Sequence, residues 1–273
     1  MSNLTLSILI GLINAVPILI WGSYFLHKHN EKRKWVLFSF SLGALSVVPL
    51  VFLRYFTDLI PFLDLENTLQ ANSLFQNSFF NIPISLIIFF VIIAAIEEYL
   101  KHKVADKVSR NEITSIDDAI EFSIMAALGF AFAENTFYLI NIWKNLDIQT
   151  FTSVYMLRAV FSTFAHCLFS TVYGYYFGLA LFSKKVYNDN QYHPWSLTRL
   201  LKKFHFRFKR GFMAKIFAAE SQFIGLFYAT SLHAVFNLLL EFQFTLFLAP
   251  FFIIGLSCIK KLIESKKALK ELA

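Results

Sequence analysis

Residues 84–95 read Ile-Ser-Leu-Ile-Ile-Phe-Phe-Val-Ile-Ile-Ala-Ala, and residues 96–102 continue as Ile-Glu-Glu-Tyr-Leu-Lys-His. The first run contains no charge, and with its apolar flanks it is long enough to cross a lipid bilayer as a helix. The second run places two adjacent carboxylates at the end of that helix. Because ionisable groups are costly inside a membrane, the pair indicates either an interfacial helix end or a functional site.

The composition of the 273-residue chain is far from that of a soluble domain. Hydrophobic residues make up 57% of the chain, charged residues 16%, and 34 residues are Phe. The mean hydropathy is +0.56. These values predict an integral membrane protein. Since Lys and Arg accumulate in cytoplasmic loops, the net charge of +7 agrees with this class and does not indicate nucleic-acid binding.

Seven apolar stretches of spanning length predict an all-α fold, a polytopic transmembrane helical bundle of about seven spans in one domain covering residues 1–273. They lie at about 4–26, 35–56, 79–99, 118–143, 152–182, 217–240 and 244–262. The first has no basic n-region or clear cleavage site, so we expect a retained span rather than a signal peptide. Cys167 and Cys258 lie in apolar stretches and predict neither a disulfide nor a thiolate metal site.

The basic residues alternate from loop to loop, as a seven-span chain requires. Twenty-two of the 25 Lys and Arg fall in the first, third and fifth connections and the tail, with Lys101 counted in the third. By the positive-inside rule these regions face the cytoplasm, so the N-terminus lies outside and the C-terminus inside. We expect the membrane to be a prokaryotic plasma membrane.

Three connecting or terminal regions carry further expectations. Residues 57–78 are expected to include an interfacial helix outside. The basic loop at about 183–216 interleaves basic and aromatic side chains between Arg199 and Arg210, which suits either an anionic cytoplasmic leaflet or a plain topogenic loop. A short basic tail covers residues 260–273.

Polar residues enter four of the predicted spans. The clusters are Glu97-Glu98-x-x-Lys101-His102, Asp118 followed by Glu134-Asn135, Arg158-x-x-x-Ser162-x-x-x-His166, and His233-x-x-x-Asn237. Each has an ordinary structural explanation; for example, Glu97 and Lys101 are four residues apart and can pair at a helix end. Together they favour a polar cavity inside the bundle, provided that the third span continues helically past residue 99.

Small residues predict close helix packing beside this cavity. Ala119, Ser123 and Ala127 recur every four residues, and Glu134 falls on the same helical face.

The polar set suits attack by water on a carbonyl group. A carboxylate in a low-dielectric cavity can act as a general base on water, and an imidazole can hold that water. Asn with a second His can donate hydrogen bonds to an oxyanion. Glu with two His equally suits a hydrolytic zinc site, so both mechanisms stay open.

The motifs resemble those of the PrsW family of membrane-embedded endopeptidases, in the larger group that includes the CAAX prenyl endopeptidases and a gamma-secretase subunit. The resemblance runs in order over residues 97–237, through Glu-Glu-x-x-Lys, Gly-Phe-Ala-x-x-Glu-Asn at 129–135, Arg158 with His166, and His233-x-x-x-Asn237. It implies an endopeptidase that cleaves a membrane-anchored or membrane-inserted protein, for example in regulated proteolysis.

The same resemblance implies roles for individual residues. The catalytic residues would be Glu97, Glu98, His166, His233 and Asn237. One glutamate would activate water with the help of His166, and His233 with Asn237 would form the oxyanion site. The supporting residues would be Lys101, Asp118, Glu134, Asn135 and Arg158. Where the family usually carries glycines at four-residue spacing, this chain has Ala119, Ser123 and Ala127, which are also small.

Two other functions could use the same residues: a transporter that relays protons or cations through intramembrane Glu and His, and a non-catalytic membrane scaffold. The absence of an internal repeat is against transport, and the complete polar set favours an enzyme. Because no His-Glu-x-x-His motif presents metal ligands locally, we expect no cofactor. Zinc at Glu97 or Glu98, His166 and His233 is the alternative.

Overall fold

The computed structural model describes residues 3–28, 32–52, 78–79, 82–109, 112–143, 147–188 and 210–267. These residues are almost entirely helical, as predicted, but they also include a very short antiparallel hairpin. Its strands are β1 (Ser78–Phe79) and β2 (Ile82–Pro83), with Ser78 opposite Pro83. The interfacial helix expected within 57–78 and the basic segment at 199–210 fall almost wholly outside the described residues.

The α-helices of the described residues are numbered in chain order. They are α1 (Asn3–Lys28), α2 (Arg33–Leu45), α3 (Ile84–Ser109), α4 (Ile116–Ile142), α5 (Ile148–Tyr155), α6 (Thr163–Leu181), α7 (Ser183–Asn188), α8 (Arg210–Glu241) and α9 (Leu248–Lys267). A π-helical segment, Met156–Ser162, joins α5 to α6, and a 3-10 turn, Thr245–Phe247, precedes α9. Residues 48–52 form a further helical stretch.

Four helices in the described part of the chain are long and apolar enough to cross a membrane. They cover Ser7–Lys28, Arg33–Phe52, Gly211–Glu241 and Thr245–Ser265. The other three predicted spans coincide with α3, α4 and the stretch from α5 to α6, which carry most of the ionisable residues of the polar clusters. A helical membrane bundle is therefore present, and the count of seven spans stays a prediction.

Helices α4 and α6 form the centre of the bundle. Helix α4 packs against α1, α2, α3 and α6, while α6 also packs against α8 and α9. Most residues of α6 are buried. The outer helices instead expose large apolar side chains, including Leu12, Leu19 and Ile253, each at least 64% exposed. Such side chains suit a lipid environment.

Polar contacts fix the start of α4. Ser115 caps the helix by accepting a hydrogen bond from the backbone N–H of Asp118 at 3.1 Å. The Asp118 carboxylate accepts hydrogen bonds from Lys32 Nζ and the Thr114 N–H, both at 2.8 Å. One turn later, Glu121 pairs with Lys28. These bonds tie the connection between α1 and α2 to the first turns of α4.

Small residues allow the central helices to approach closely. A Cβ atom added to Gly129 of α4 would overlap the carbonyl of Phe40 in α2 and lie 2.9 Å from the Ala44 nitrogen. On the other face of α4, a Cβ at Gly174 of α6 would lie 2.6 Å from Ile120 Cα and 3.1 Å from Ser123 Cβ. The close approach predicted along the ridge that includes Ser123 is therefore present.

We expect Gly129→Ala to destabilise the protein by about 1–3 kcal/mol, because the new methyl group meets backbone atoms that cannot rotate away. The matched control is Gly22→Ala in α1, where a Cβ would meet nothing within 4 Å. The measurement is the free energy of unfolding in detergent. Equal stability of the two variants would show that α2 and α4 are not in close contact.

Candidate active site

Glu98 lies at the centre of a buried polar cluster between α3, α6 and α8. Its side chain is fully buried. Oε1 accepts a hydrogen bond from Lys101 Nζ at 2.5 Å and lies 2.7 Å from His233 Nδ1. Oε2 lies 3.1 Å from His102 Nε2. Both carboxylate oxygens are therefore engaged by neighbouring side chains, which fixes the orientation of this carboxylate.

The adjacent Glu97 differs from Glu98 in its contacts. Its Oε2 lies 3.4 Å from His233 Nε2, which is an ion-pair distance. This oxygen is buried and has no hydrogen-bond partner among the described residues. His233 thus stands between the two glutamates, and Glu97 keeps an oxygen that can accept a proton.

His166 links the Glu98 side of the cluster to Glu134 on α4. Its Nδ1 lies 3.1 Å from Lys101 Nζ, and its Nε2 lies 3.1 Å from Glu134 Oε2. An ammonium group only donates and a carboxylate only accepts, so Nδ1 must be the acceptor and Nε2 must carry the proton. The rings of His166 and His233 meet edge to face, with their centroids 5.0 Å apart.

The π-helical segment orients Arg158. Arg158 Nη1 lies 3.3 Å from Glu134 Oε1, and its guanidinium lies 4.0 Å from the centre of the Tyr138 ring. Asn135 Nδ2 donates a hydrogen bond to the Arg158 carbonyl at 2.9 Å, and it lies 3.2 Å from Thr163 Oγ1. Asn135 therefore supports the backbone where the helix changes its register, a feature often found near functional sites.

This register change corrects the stripe expected on the fifth span. The four-residue spacing of Arg158, Ser162 and His166 predicts one face of an α-helix, but Met156–Ser162 is π-helical. Arg158 and His166 nevertheless reach the two oxygens of the same Glu134 carboxylate.

The structure brings most of the predicted site residues together, places Asp118 elsewhere, and gives no contact between Asn237 and the cluster. The cluster contains Glu97, Glu98, Lys101, Glu134, Arg158, His166 and His233. Asp118 is not part of it, because it pairs with Lys32 at the start of α4. Asn237 lies one turn beyond His233, is half-buried, and makes no side-chain hydrogen bond to a described residue.

Lys101 also departs from its predicted place. The sequence predicts Lys101 in a cytoplasmic loop and as a partner of Glu97, but it lies within α3, is fully buried and pairs with Glu98. The reason is the length of α3, which continues to Ser109 and carries Lys101 into the core. This continuation is also what allows the glutamates to meet His233.

Sequence reasoning did not assign a role to His102. This residue is only 3% exposed, bonds Glu98, and stacks on Tyr173 with ring centroids 3.4 Å apart. Its position four residues after Glu98 placed it on the same helical face, and that spacing was the available signal. A cavity of about 240 Å³ adjoins His102 and is also lined by Lys103, Gln222 and Phe223.

The cluster has the donor groups of a divalent-metal site. Glu98, His166 and His233 are buried, and each offers one ligand atom within 4.8 Å of the others. Two imidazoles and a carboxylate are a common zinc-binding set in hydrolases. The contact from His166 Nε2 to Glu134 is the kind of outer support that metal-binding histidines usually have. The residues present therefore fit a metal, although Lys101 now contacts two of the three donors.

The sequence of the chain matches a family profile. The profile is described as PrsW family intramembrane metalloprotease, and it covers residues 31–259. The chain belongs to this family. Together with the four apolar helices, this membership makes it an integral membrane protein. The expectation of a metal-free mechanism stays a prediction. The family description, which names a metalloprotease, favours the metal alternative.

Three bacterial relatives carry the name Protease PrsW. The protein of Oceanobacillus iheyensis is 30% identical over 177 residues, which is 64% of this chain and 70% of the relative. That of Geobacillus kaustophilus is 27% identical over 64% of this chain and 66% of its own length. That of Clostridioides difficile is 33% identical over 41% of this chain and 44% of its own length. No solved structure matches significantly.

We expect Asn135→Ala to lower the free energy of unfolding by about 1 kcal/mol or more, because it removes the amide that donates to the Arg158 carbonyl. The control is Asn141→Ala, an exposed position on the same helix. Both variants are compared by unfolding in detergent. If they are equally stable, Asn135 does not support the π-helical segment.

Proposed function

We propose that this protein is a membrane-embedded endopeptidase that hydrolyses a peptide bond of a membrane-associated protein. The observation that supports this most strongly is the buried convergence of Glu97 and Glu98 from α3, His166 from α6 and His233 from α8. These groups come from three different helices and are suited to activating water. The family and its relatives, which are named as proteases, agree with this chemistry.

The two glutamates have different roles in this proposal. Glu98 is a positioning residue, since its two oxygens are already engaged by Lys101, His233 and His102. Glu97 is the general base, since its buried Oε2 has no hydrogen-bond partner. A carboxylate in such a site can take a proton from water.

The reaction then follows ordinary acid–base hydrolysis. Water loses a proton to Glu97 Oε2, and the hydroxide oxygen forms a bond to the carbonyl carbon. When the tetrahedral intermediate collapses, the C–N bond breaks and Glu97 returns the proton to the departing amine. His166 lines the cluster with both ring nitrogens engaged, Nδ1 by Lys101 and Nε2 by Glu134, so it assists the attacking water by its position and not through a free lone pair.

The oxyanion site would be formed on α8. His233 is held by Glu98 and faces the cluster, while the Asn237 amide one turn away has no hydrogen bond to a described residue. Residues at positions i and i+4 project from the same face of a helix, so both side chains can reach one oxygen atom. Because His233 Nδ1 donates to Glu98, His233 donates to the oxyanion through Nε2 in its protonated form. Donors preorganised in this way favour the developing negative charge.

Glu98, His166 and His233 would hold a divalent metal ion, which supplies Lewis-acid polarisation of the carbonyl group when it is bound. In that arrangement Glu98, His166 and His233 act as ligands, while Glu97 and Glu134 keep the roles given above. Glu97 remains outside the ligand set and still has an oxygen for the proton, and Glu134 orients His166.

The substrate class follows from the position of the site. The cluster is buried in a helical bundle, so a substrate must reach it from within the membrane or at its surface. We propose a membrane-anchored or membrane-inserted protein in a prokaryotic plasma membrane, cleaved in regulated proteolysis. Residues 1–273 act as one domain with the N-terminus outside and the C-terminus in the cytoplasm.

Glu97→Gln is expected to lower cleavage at least about a hundredfold, since general acid–base catalysis contributes roughly that much or more. Its fold should persist, because Glu97 Oε2 makes no hydrogen bond. Glu98→Gln is expected to lower both cleavage and stability, since it leaves buried Lys101 without its carboxylate. Membrane proteomics of cells producing each variant identifies the protein that accumulates uncut.

The control is Glu241→Gln at the exposed end of α8, which should cleave normally. A folded Glu97→Gln variant that leaves the membrane proteome unchanged would contradict the endopeptidase proposal. If the variant still produces the phenotype that depends on the protein's binding partners, the protein is instead a scaffold. If ion or proton flux changes and no uncut protein accumulates, the protein is a transporter.

A further inference from the structure

The ammonium group of Lys101 lies among the donor atoms of the candidate metal site. Its Nζ is 2.5 Å from Glu98 Oε1 and 3.1 Å from His166 Nδ1, and both residues belong to the three-residue donor set. The third donor residue, His233, contacts the same Glu98 oxygen at 2.7 Å. The Lys101 side chain is fully buried, so this is an internal cation and not a surface ion pair.

His166 cannot bind Lys101 and a metal ion at the same time. Its Nε2 carries the proton directed at Glu134, which leaves Nδ1 with a single lone pair. The Lys101 ammonium already uses that lone pair. A metal ion coordinated by Nδ1 needs the same lone pair at about 2.0–2.1 Å, so one cation must leave before the other binds.

Charge balance also opposes the binding of Lys101 and a metal ion to these donors at the same time. Glu98 is fully buried, and a buried carboxylate needs a compensating cation. Lys101 supplies that charge now. A divalent ion at the same donors would bring two further positive charges to within a few ångströms of the ammonium, which opposes binding unless Lys101 moves.

The chain offers Lys101 a second acceptor on its own helix. Glu97 precedes Lys101 by four residues, so the two side chains project from neighbouring turns of one face. Glu97 Oε2 is buried and without a hydrogen-bond partner among the described residues. The ammonium can therefore leave Glu98 for Glu97 without being exposed to lipid.

We propose that the Lys101 ammonium is the cation that neutralises this site without metal, and that it competes with a divalent metal ion for Glu98 and His166. Metal binding displaces its ammonium toward Glu97, and metal loss returns it to Glu98. Lys101 thereby keeps the donors assembled and the carboxylate neutralised while no metal is bound. This inference rests on the metal alternative of the proposed function.

The test is zinc binding to the purified full chain in detergent, measured by isothermal titration after removal of metal with a chelator. Lys101→Met removes the charge and should bind zinc about tenfold tighter or more, because a like charge within a few ångströms shifts ionic equilibria by one to three decades. Glu98→Gln added to Lys101→Met should abolish this gain, which locates the ion. Lys103→Met, at an exposed lysine on the same helix, should bind zinc as the wild type does.

A second variant covers the case in which Lys101→Met does not fold without metal. Lys101→Gln is also uncharged but keeps an amide that can donate to Glu98, and it should likewise bind zinc more tightly. A Lys101→Met chain that folds only with zinc would support competition, since zinc then supplies the missing charge. The inference is overturned if the variant that folds binds zinc no more tightly than the wild type. It is also overturned if neither variant folds with zinc present.

This result is independent of the test for cleavage. If no protein accumulates uncut in cells producing a folded Glu97→Gln variant, the endopeptidase proposal fails whatever the zinc affinities are. If cleavage depends on Glu97 while the Lys101 variants bind zinc as the wild type does, only the competition between Lys101 and metal is wrong.

Discussion

The buried Glu98 carboxylate is the constraint on which the rest of the site depends. A charge with no access to water must be neutralised and hydrogen-bonded by the protein around it. In this bundle the partners come from two helices: Lys101 and His102 from α3, and His233 from α8. Lys101 then engages His166 on α6, and His166 engages Glu134 on α4. One carboxylate thus connects four helices through polar contacts.

This arrangement separates a rigid part of the site from a reactive part. Glu98 is held by three side chains, whereas its neighbour Glu97 has a buried oxygen without a hydrogen bond. Two adjacent residues of the same type therefore serve different purposes, one as a positioning residue and one as a base. Gly129 of α4 allows close packing against α2, and Gly174 of α6 allows close packing against α4. These contacts keep the helices near enough for the polar groups to meet.

Sequence reasoning predicted the helical membrane class, and it named most of the residues that converge, because charged groups in apolar spans are conspicuous. It misplaced Lys101 because a lysine after an apolar run is usually a loop residue, and only the continuation of α3 to Ser109 shows that it is buried. It placed Asp118 near the site because the local sequence does not show the actual partner of Asp118. That partner is Lys32, which lies 86 residues earlier in the chain. The π-helical segment around Arg158 depends on Asn135 of another helix, so no local pattern indicated it.

The central claim is that Glu98 and His233 interact directly across α3 and α8, and a double-mutant cycle tests it. The free energy of unfolding in detergent is measured for the wild type, Glu98→Gln, His233→Ala and the double variant, all without metal. Direct contact predicts a coupling energy of about 1 kcal/mol or more between the two positions. Additive effects, within about 0.5 kcal/mol, would show that the two residues do not meet and would contradict the site described above.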